Sequence, residues 1–496
     1  MPLNLLPPSL TELRHLRWPD VQPGRSLVHP VSFRDKDMTS RPPNHRGSRR
    51  RALILVSVWV WVLLLYTHLG FDTSRHEVWA SQWTQSTGAQ SNRATDVFAI
   101  PPVDNKAIKK VCQQASWNET LVFVCNESYG GIGNIRNSIL LCIRYAMQAG
   151  ASLVLPRIIL RSPFALEILQ TTETADFSYM FDTKHFLESM RLSCPQMKIY
   201  KSTKDVSDKS DVEISLDPAR SLTPESLVKG EVPRTGLLRP GAWRGQFFDW
   251  LREANLAAEK SSGAVIIYLE RSYMTYPIYS DGDAFALSFA SLLQFRNDTR
   301  VLATKVLRNL VEEFSLHVNL NWDILPEAFF GAHLRTEEDS MSVWESAGDY
   351  WFYSHYSNQL KVYQKQAPRS KPAVIYVASG DLNEADRFAE DVADAPAPNN
   401  YTVVTKSDLL GSADLAELEA LTFDQQALVD YLVLLKASDF AGVAHSSFAW
   451  SIALKRHQHA KRKTNFLDAP EMLDDDLSKL YGTVKDFGDY PTVLWP

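Results

Sequence analysis

"YGGIGNIRNSILLCIRYAMQAGASLVLP", residues 129–156, contains a glycine-rich turn, a stretch with helical periodicity and a short apolar segment in direct succession. Another apolar segment, LVFVC at 121–125, runs into the turn. One face of the helical stretch carries the residues Ile135, Ile139, Cys142, Ile143 and Ala146. A strand, a tight turn, a helix and a further strand in this order form the repeating unit of parallel sheets covered by helices. The sequence therefore predicts an α/β fold.

The same alternation continues towards the C-terminus. Apolar segments of strand length recur between helical patterns: GAVIIYLE at 263–270, FFGAHLR at 329–335, AVIYVAS at 373–379 and YTVVT at 401–405. The polar section 195–262 is predicted to be irregular. Because 496 residues are long for one domain, we divide the folded part into 107–317 and 318–496. A site between two such domains would draw on loops at the carboxyl ends of strands from both.

The N-terminal part of the chain predicts a membrane anchor. Residues 52–71 hold 20 positions without Lys, Arg, Asp or Glu, about the length that a helix needs to cross a bilayer. Arg49, Arg50 and Arg51 abut this span, so residues 1–51 are predicted to be a cytosolic basic tail. The polar segment 72–106 is predicted to be a lumenal stem. This layout indicates a single-pass type II protein with an uncleaved anchor in the Golgi membrane, with the endoplasmic reticulum as the alternative compartment. A late-starting cleaved signal peptide is the alternative to the anchor.

Two features of the region after the span agree with a secretory compartment. Four Asn-x-Ser/Thr acceptors lie there, at Asn118, Asn126, Asn297 and Asn400. Four cysteines cluster there as well, which suits an oxidising environment, and three pairings remain open: Cys112, Cys125, Cys142 and Cys194. A bond between Cys112 and Cys125 would close a short loop, whereas Cys142 could equally be a buried free thiol.

Composition argues against an intrinsically disordered protein and against a general nucleic-acid-binding protein. Hydrophobic residues make up 45% of the chain and charged residues 22%, which is typical of a folded protein. The net charge of -6 argues against a nucleic-acid partner, so any anion site is local.

The glycine turn is the first candidate site. Gly130, Gly131 and Gly133 permit close backbone approach of a ligand to the positive N-terminus of the following helix, where a phosphate is favoured. A dinucleotide fingerprint does not fit, because Arg136 stands where that pattern needs a third small residue. The lysine of a phosphate-cradling GxxxxGK[ST] loop is absent too. A plain tight turn is the alternative.

A second candidate site ends the segment FFGAHLRTEED at 329–339. His333 and Arg335 share one face of the predicted strand, because side chains alternate along it. The planar guanidinium suits bidentate binding of phosphate and the neutral imidazole can donate a hydrogen bond, so the pair could hold a diphosphate without a metal. The alternative is a structural arginine paired with an acidic neighbour, Glu337, Glu338 or Asp339.

A third candidate site follows an apolar helix that carries Asp430. Ser446, Ser447 and Phe448 place two hydroxyls and an aromatic ring at the start of a further helix, which again suits an anion. Ser447 as a catalytic nucleophile is disfavoured, because the GxSxG elbow is absent. The run DDD at 474–476 is predicted to be a solvated helix start and not a metal site. No metal ligand set is predicted.

In order and spacing, the three motifs resemble the GDP-fucose protein O-fucosyltransferase family with its plant and fungal relatives, over about residues 120–456. The resemblance implies a GT-B architecture of two Rossmann-like domains facing a cleft, with the nucleotide sugar bound by 318–496. It also implies inverting, metal-independent transfer of fucose from GDP-fucose to a protein or glycan hydroxyl. The alternative is a catalytically inactive relative that acts as a glycan- or nucleotide-binding scaffold.

Roles for individual residues follow from the same resemblance. Arg335 would hold the diphosphate, and Asn134, beside Gly131 and Gly133, would reach the donor from the facing domain. The remaining nucleotide contacts would come from His333, Asp430, Ser446, Ser447 and Phe448. No residue matches a general base securely, so Glu127 and Glu338 are the candidates.

Overall fold

The computed structural model describes residues 96–125, 127–162, 169–206, 220–256, 264–337, 350–367, 374–395, 401–461, 475–482 and 490–496. They all belong to one compact unit, residues 86–496. The predicted tail, membrane span and most of the stem lie outside the described residues, as do Asn126, Asn400 and Glu338. Within the described ranges, no helix combines the length and apolar character that crossing a membrane requires.

Twelve strands occur in the described residues. They are β1 (Asn118–Val124), β2 (Ala151–Val154), β3 (Ile158–Arg161), β4 (Leu169–Ala175), β5 (Ile199–Tyr200), β6 (Ser221–Leu222), β7 (Val265–Leu269), β8 (Phe330–His333), β9 (Val374–Ala378), β10 (Thr402–Val404), β11 (Asp439–Val443) and β12 (Ser478–Tyr481).

Helices connect most of these strands. They are α1 (Lys106–Gln114), α2 (Ile132–Ala149), α3 (Thr183–Ser193), α4 (Trp243–Glu253), α5 (Asp283–Phe289), α6 (Asn297–Glu313), α7 (Tyr350–Ser354), α8 (Tyr356–Gln366), α9 (Leu382–Ala393), α10 (Lys406–Leu409), α11 (Ser412–Glu419), α12 (Phe423–Leu435), α13 (Ser447–His457) and α14 (Tyr490–Val493).

Two five-stranded sheets form the frame, in the orders β5-β2-β1-β7-β6 and β10-β9-β8-β11-β12. Every pairing inside both sheets is parallel, whereas β3 and β4 form a separate antiparallel pair. The α/β prediction with parallel sheets is therefore confirmed. One sheet is built from residues before 270 and the other from residues after 329, and the division of the chain at 317 stays a prediction.

The section 195–262 is less irregular than predicted. It contributes β5 and β6, which lie at the two edges of the first sheet, and the helix α4. Each of these strands has only two residues, too few for the alternation of apolar side chains to show in the sequence. They exist because β2 and β7 offer unpaired strand edges.

The structure decides between the alternatives left open for the cysteines: Cys125 pairs with Cys142, and Cys112 pairs with Cys194. The prediction for DDD at 474–476 is wrong for Asp475, which lies three residues before β12, is 2% exposed and contacts the His457 ring at 2.6 Å. A buried imidazole partner, and not a solvated helix start, therefore explains this carboxylate.

Candidate active site

The glycine turn joins β1 to the helix α2. Gly130 adopts a φ of +95°, a left-handed conformation that favours glycine. A Cβ at this position would lie 2.8 Å from the side-chain nitrogen Nδ2 of Asn134. Gly131 is the N-cap of α2 and offers no side chain to the first amide groups of the helix. The first backbone N–H groups of α2 therefore receive no hydrogen bond acceptor from the side chain of the N-cap residue.

The third motif lies directly against this turn. A Cβ on Gly133 would stand 2.4 Å from the Ser447 carbonyl oxygen and 2.8 Å from its Oγ, so only glycine fits. Ser447 is the first residue of α13, and the Ser446 hydroxyl caps that helix by accepting from the Ala449 amide at 3.4 Å. The N-termini of α2 and α13 therefore lie in contact, although the two helices are more than 300 residues apart along the chain.

The second motif joins the third through an aromatic contact. His333 ends β8, and its ring centroid lies 4.6 Å from that of Phe448. Tyr363 donates to the His333 carbonyl at 2.7 Å, and Gln359 binds both backbone groups of Arg335 at 2.9 and 2.7 Å. Burial lowers the pKa of His333 to about 4, so the ring is neutral at physiological pH. Its buried Nδ1 has no hydrogen-bond partner within the described residues.

Arg335 points its guanidinium at an acidic neighbour. It forms an ion pair with Glu337, whose other oxygen accepts from the Gly380 amide at 2.9 Å. Burial alone would raise the pKa of Glu337, but the charge of Arg335 and its hydrogen bond lower it. In this structure the arginine thus has the internal partner that the sequence offered as the alternative to a ligand.

The three motifs together predict one family, and a family comparison tests this directly. The model of the family described as "GDP-fucose protein O-fucosyltransferase" matches residues 121–459. The chain belongs to this O-fucosyltransferase family. The predicted resemblance is confirmed over a region that contains all three motifs, from the glycine turn to Phe448.

Solved structures similar to this O-fucosyltransferase-family chain include POFUT1 and the fucosyltransferase NodZ, both at low identity. POFUT1 in complex with GDP-fucose is 12% identical and covers 75% of this chain and 99% of its own, with a TM-score of 0.42. POFUT1 in complex with GDP is 12% identical, with coverages of 74% and 99% and a TM-score of 0.41. NodZ from Bradyrhizobium is 15% identical, with coverages of 68% and 93% and a TM-score of 0.34. A search of curated proteins gives no match.

Asp430 in this family member is fully engaged inside the protein. It lies on α12 and is 4% exposed. Its Oδ1 accepts from the Tyr376 hydroxyl at 2.7 Å, and its Oδ2 accepts from Lys406 at 2.6 Å. These bonds and its burial explain Asp430 without a ligand, so its binding role stays a prediction.

Of the two candidates for the general base, Glu127 lies within the described residues and Glu338 does not. Glu127 is exposed directly before the glycine turn, and its carboxylate accepts from the Arg271 backbone amide at 3.3 Å. Glu338 lies outside the described residues. Of the residues that the structure does describe, no group of three His, Cys, Asp or Glu side chains could hold a metal ion. Metal independence therefore stays a prediction, like the identity of the base.

Sequence reasoning missed three side chains near the motifs. Arg271 and Tyr273 follow β7. Burial raises the pKa of Tyr273 to about 12, although the charge of Arg271 and the nearby Ser447 side chain act to lower it. His445 lies beside the second motif, where burial and then the charge of Arg335 lower its pKa to about 3. A signal for Arg271 was present, because it follows the apolar segment GAVIIYLE just as Arg335 closes FFGAHLR.

Proposed function

We propose that this chain transfers fucose from GDP-fucose to a hydroxyl group of a protein or glycan, with inversion at the anomeric carbon and without a metal ion. One observation carries the proposal: Gly133 packs on Ser447, which brings the glycine turn beside the hydroxyl and aromatic motif. His333 joins the same place through Phe448. The two parallel sheets support a GT-B arrangement of the chain.

The chemistry needs charge neutralisation and a proton acceptor. The acceptor oxygen forms a bond to the anomeric carbon while the bond from that carbon to the diphosphate oxygen breaks, and GDP leaves with the electron pair. Arg335 would neutralise the departing diphosphate, and neutral His333 would donate one hydrogen bond to it. The proton of the acceptor hydroxyl would pass to a carboxylate, for which Glu127 is the described candidate.

We also propose that the chain is a single-pass type II protein of the Golgi membrane, with the endoplasmic reticulum as the alternative. The support is in the sequence, where the apolar residues 52–71 follow three arginines. Catalysis would then take place in the lumen, where the cysteines pair. Both disulfides of the described region agree with an oxidising compartment.

A second candidate function is a catalytically inactive relative that binds a nucleotide or glycan as a scaffold. The observation in its favour is that the two charged side chains assigned to the donor both have internal partners. Arg335 pairs with Glu337, and Asp430 pairs with Lys406. If the diphosphate took the place that Glu337 holds at Arg335 Nη1, an enzyme would exchange the first of these ion pairs during each turnover.

Calorimetry and a hydrolysis assay separate the two functions. The full chain, purified in detergent, is titrated with GDP, UDP and ADP and then assayed for GDP release from GDP-fucose. The transferase binds GDP best and releases it at a rate that Arg335→Ala lowers by about 100-fold. The matched control is Arg387→Ala, an exposed arginine on α9 that pairs with Glu384. Binding without turnover favours the scaffold, and no nucleotide binding refutes the transferase and leaves only a scaffold that binds glycan.

A further inference from the structure

Arg271 lies at the same edge of the first sheet as the glycine turn. It follows β7 by two positions, and β7 pairs in parallel with β1, which leads into the turn. Because the carboxyl ends of parallel strands meet at one edge, the loop after β7 and the turn after β1 are neighbours. Tyr129, directly before Gly130, contacts the arginine itself.

Two aromatic rings and a hydroxyl hold the Arg271 side chain. The guanidinium carbon lies 4.1 Å from the centroid of Tyr129 and 4.8 Å from that of Tyr273. Nε donates to the Ser138 hydroxyl at 3.2 Å, and Ser138 belongs to α2. Contacts of this kind fix the plane of the guanidinium and leave its two terminal amino groups available.

No carboxylate of the described residues neutralises Arg271. The nearby acidic side chains are turned to other partners, since Glu127 accepts from the backbone amide of Arg271 and Glu270 accepts from the Thr223 hydroxyl. Neither forms an ion pair with the guanidinium in the part of the chain that the structure covers, and its terminal amino groups have no hydrogen-bond partner there. Arg335 differs, because its charge is compensated by Glu337.

The loop that carries Arg271 also contacts the third motif. The Ser447 side chain lies close enough to the Tyr273 hydroxyl to lower its pKa, and Ser447 packs on Gly133. The next residue, Met274, has a φ of +57°, a left-handed conformation that is costly for a side chain of this kind. The packing around Tyr273 thus holds a strained loop beside both motifs.

We infer that Arg271 binds the diphosphate of the nucleotide-sugar donor, together with Arg335 from the other sheet. This inference rests on the proposed function, because it gives the donor site a second cation. A planar guanidinium with two available amino groups matches two phosphate oxygens. Its stacking on Tyr129 and Tyr273 places that charge beside the glycine turn, in the loop whose Tyr273 lies near Ser447.

Binding of GDP and of guanosine to the full chain tests the inference. Arg271→Ala weakens GDP binding by about 10- to 100-fold and leaves guanosine binding within about twofold, because guanosine has no phosphate. Arg271→Lys keeps the charge but not the fork and weakens GDP binding less. The matched control is Arg244→Ala, an arginine that stacks on Phe248 at 4.6 Å and donates to the Ser116 carbonyl. It leaves the affinities for both ligands unchanged.

Three results would overturn the inference. Equal losses for GDP and guanosine would make Arg271 a structural residue, and unchanged GDP affinity would remove it from the donor site. Wild-type protein that binds no GDP would refute the proposed function and this inference together. Failure of the inference alone differs from this, because the wild type would still bind GDP. If Arg271→Ala melts well below the wild type, Arg271→Lys is used for the test instead. This variant must then lose more affinity for GDP than for guanosine.

Discussion

Replacing Gly133 with alanine tests whether the glycine turn has to touch the helix that begins at Ser447. The new Cβ would lie 2.4 Å from the Ser447 carbonyl oxygen, against a usual carbon–oxygen contact of about 3.3 Å. The two helix starts would therefore move apart by roughly 0.9 Å (3.3 minus 2.4), because a backbone oxygen cannot swing away as a side chain can. Overpacking of this kind costs about 1–3 kcal/mol, which the helix propensity of alanine offsets by at most about 1 kcal/mol.

The substitution should lower activity as well as stability. A displacement of about 1 Å in a catalytic site can cost about 100-fold in rate, so we expect Gly133→Ala to lower GDP release from GDP-fucose by about 10- to 100-fold. Thermal unfolding of the full chain should show a loss of about 3 kcal/mol or less. Both measurements use the same purified protein, so the rate can be corrected for any unfolded fraction.

The matched control is Gly411→Ala, at the N-cap of α11 and outside the three motifs. A Cβ on Gly411 meets nothing within 4 Å, and its φ of -67° suits alanine. The expected cost is at most about 1 kcal/mol, from a poorer N-cap, with activity close to wild type. Wild-type turnover in Gly133→Ala would refute the reasoning, and so would an equal loss in both variants, because the effect would then not depend on the contact with Ser447.

Further predictions concern stability. Burial lowers the pKa of His333 to about 4, whereas the unfolded chain titrates near 6.5, so the unfolded state binds more protons in between. The free energy of unfolding should therefore fall as pH is lowered from about 6.5 to 4, by up to about 3 kcal/mol for this group. Denaturant titrations should show that the stability of His333→Asn depends less on pH. An unchanged pH dependence would contradict the lowered pKa of His333. Replacing Cys125 and Cys142 with alanine should lower stability by about 3 kcal/mol, because their bond closes a loop with a sequence separation of 17; an unchanged melting temperature would show that the bond adds nothing. Arg136→Met should cost about 2–4 kcal/mol in urea unfolding, since two buried backbone carbonyls of the last two residues lose their donors, and a loss below about 1 kcal/mol would show that water replaces the guanidinium.

The part of the fold that sequence could predict is the part with local periodicity. The helix α2 and the strand segments around it carry alternation or a 3.6-residue pattern over many positions, so they could be recognised without tertiary information. The strands β5 and β6 have two residues each and depend on partners elsewhere in the chain. Their pairing to β2 and β7 is long-range, and no local pattern reports it.

The candidate site divides in the same way. Ser447 and Gly133 could each be chosen from their own surroundings, but their contact joins residues 314 positions apart. Arg136 attracted attention only because it spoils a dinucleotide fingerprint. Its partners are the carbonyls of Trp495 and Pro496, about 360 positions away, so its structural role had no sequence signal. For Asp475 the pattern of three acidic residues pointed to solvent, whereas the buried His457 ring decides its place.

The two arginines of the proposed donor site face different energetic conditions. The Arg335 side chain is 19% exposed and would be costly to leave uncompensated, and Glu337 supplies the counter-charge within the protein. Gln359 holds the Arg335 backbone on both sides, so an exchange of partners involves the side chain alone. A diphosphate would gain at Arg335 only the difference between two ion pairs. At Arg271 it would meet a guanidinium already oriented by two tyrosine rings, with no described carboxylate to displace, and most of the interaction would count towards binding.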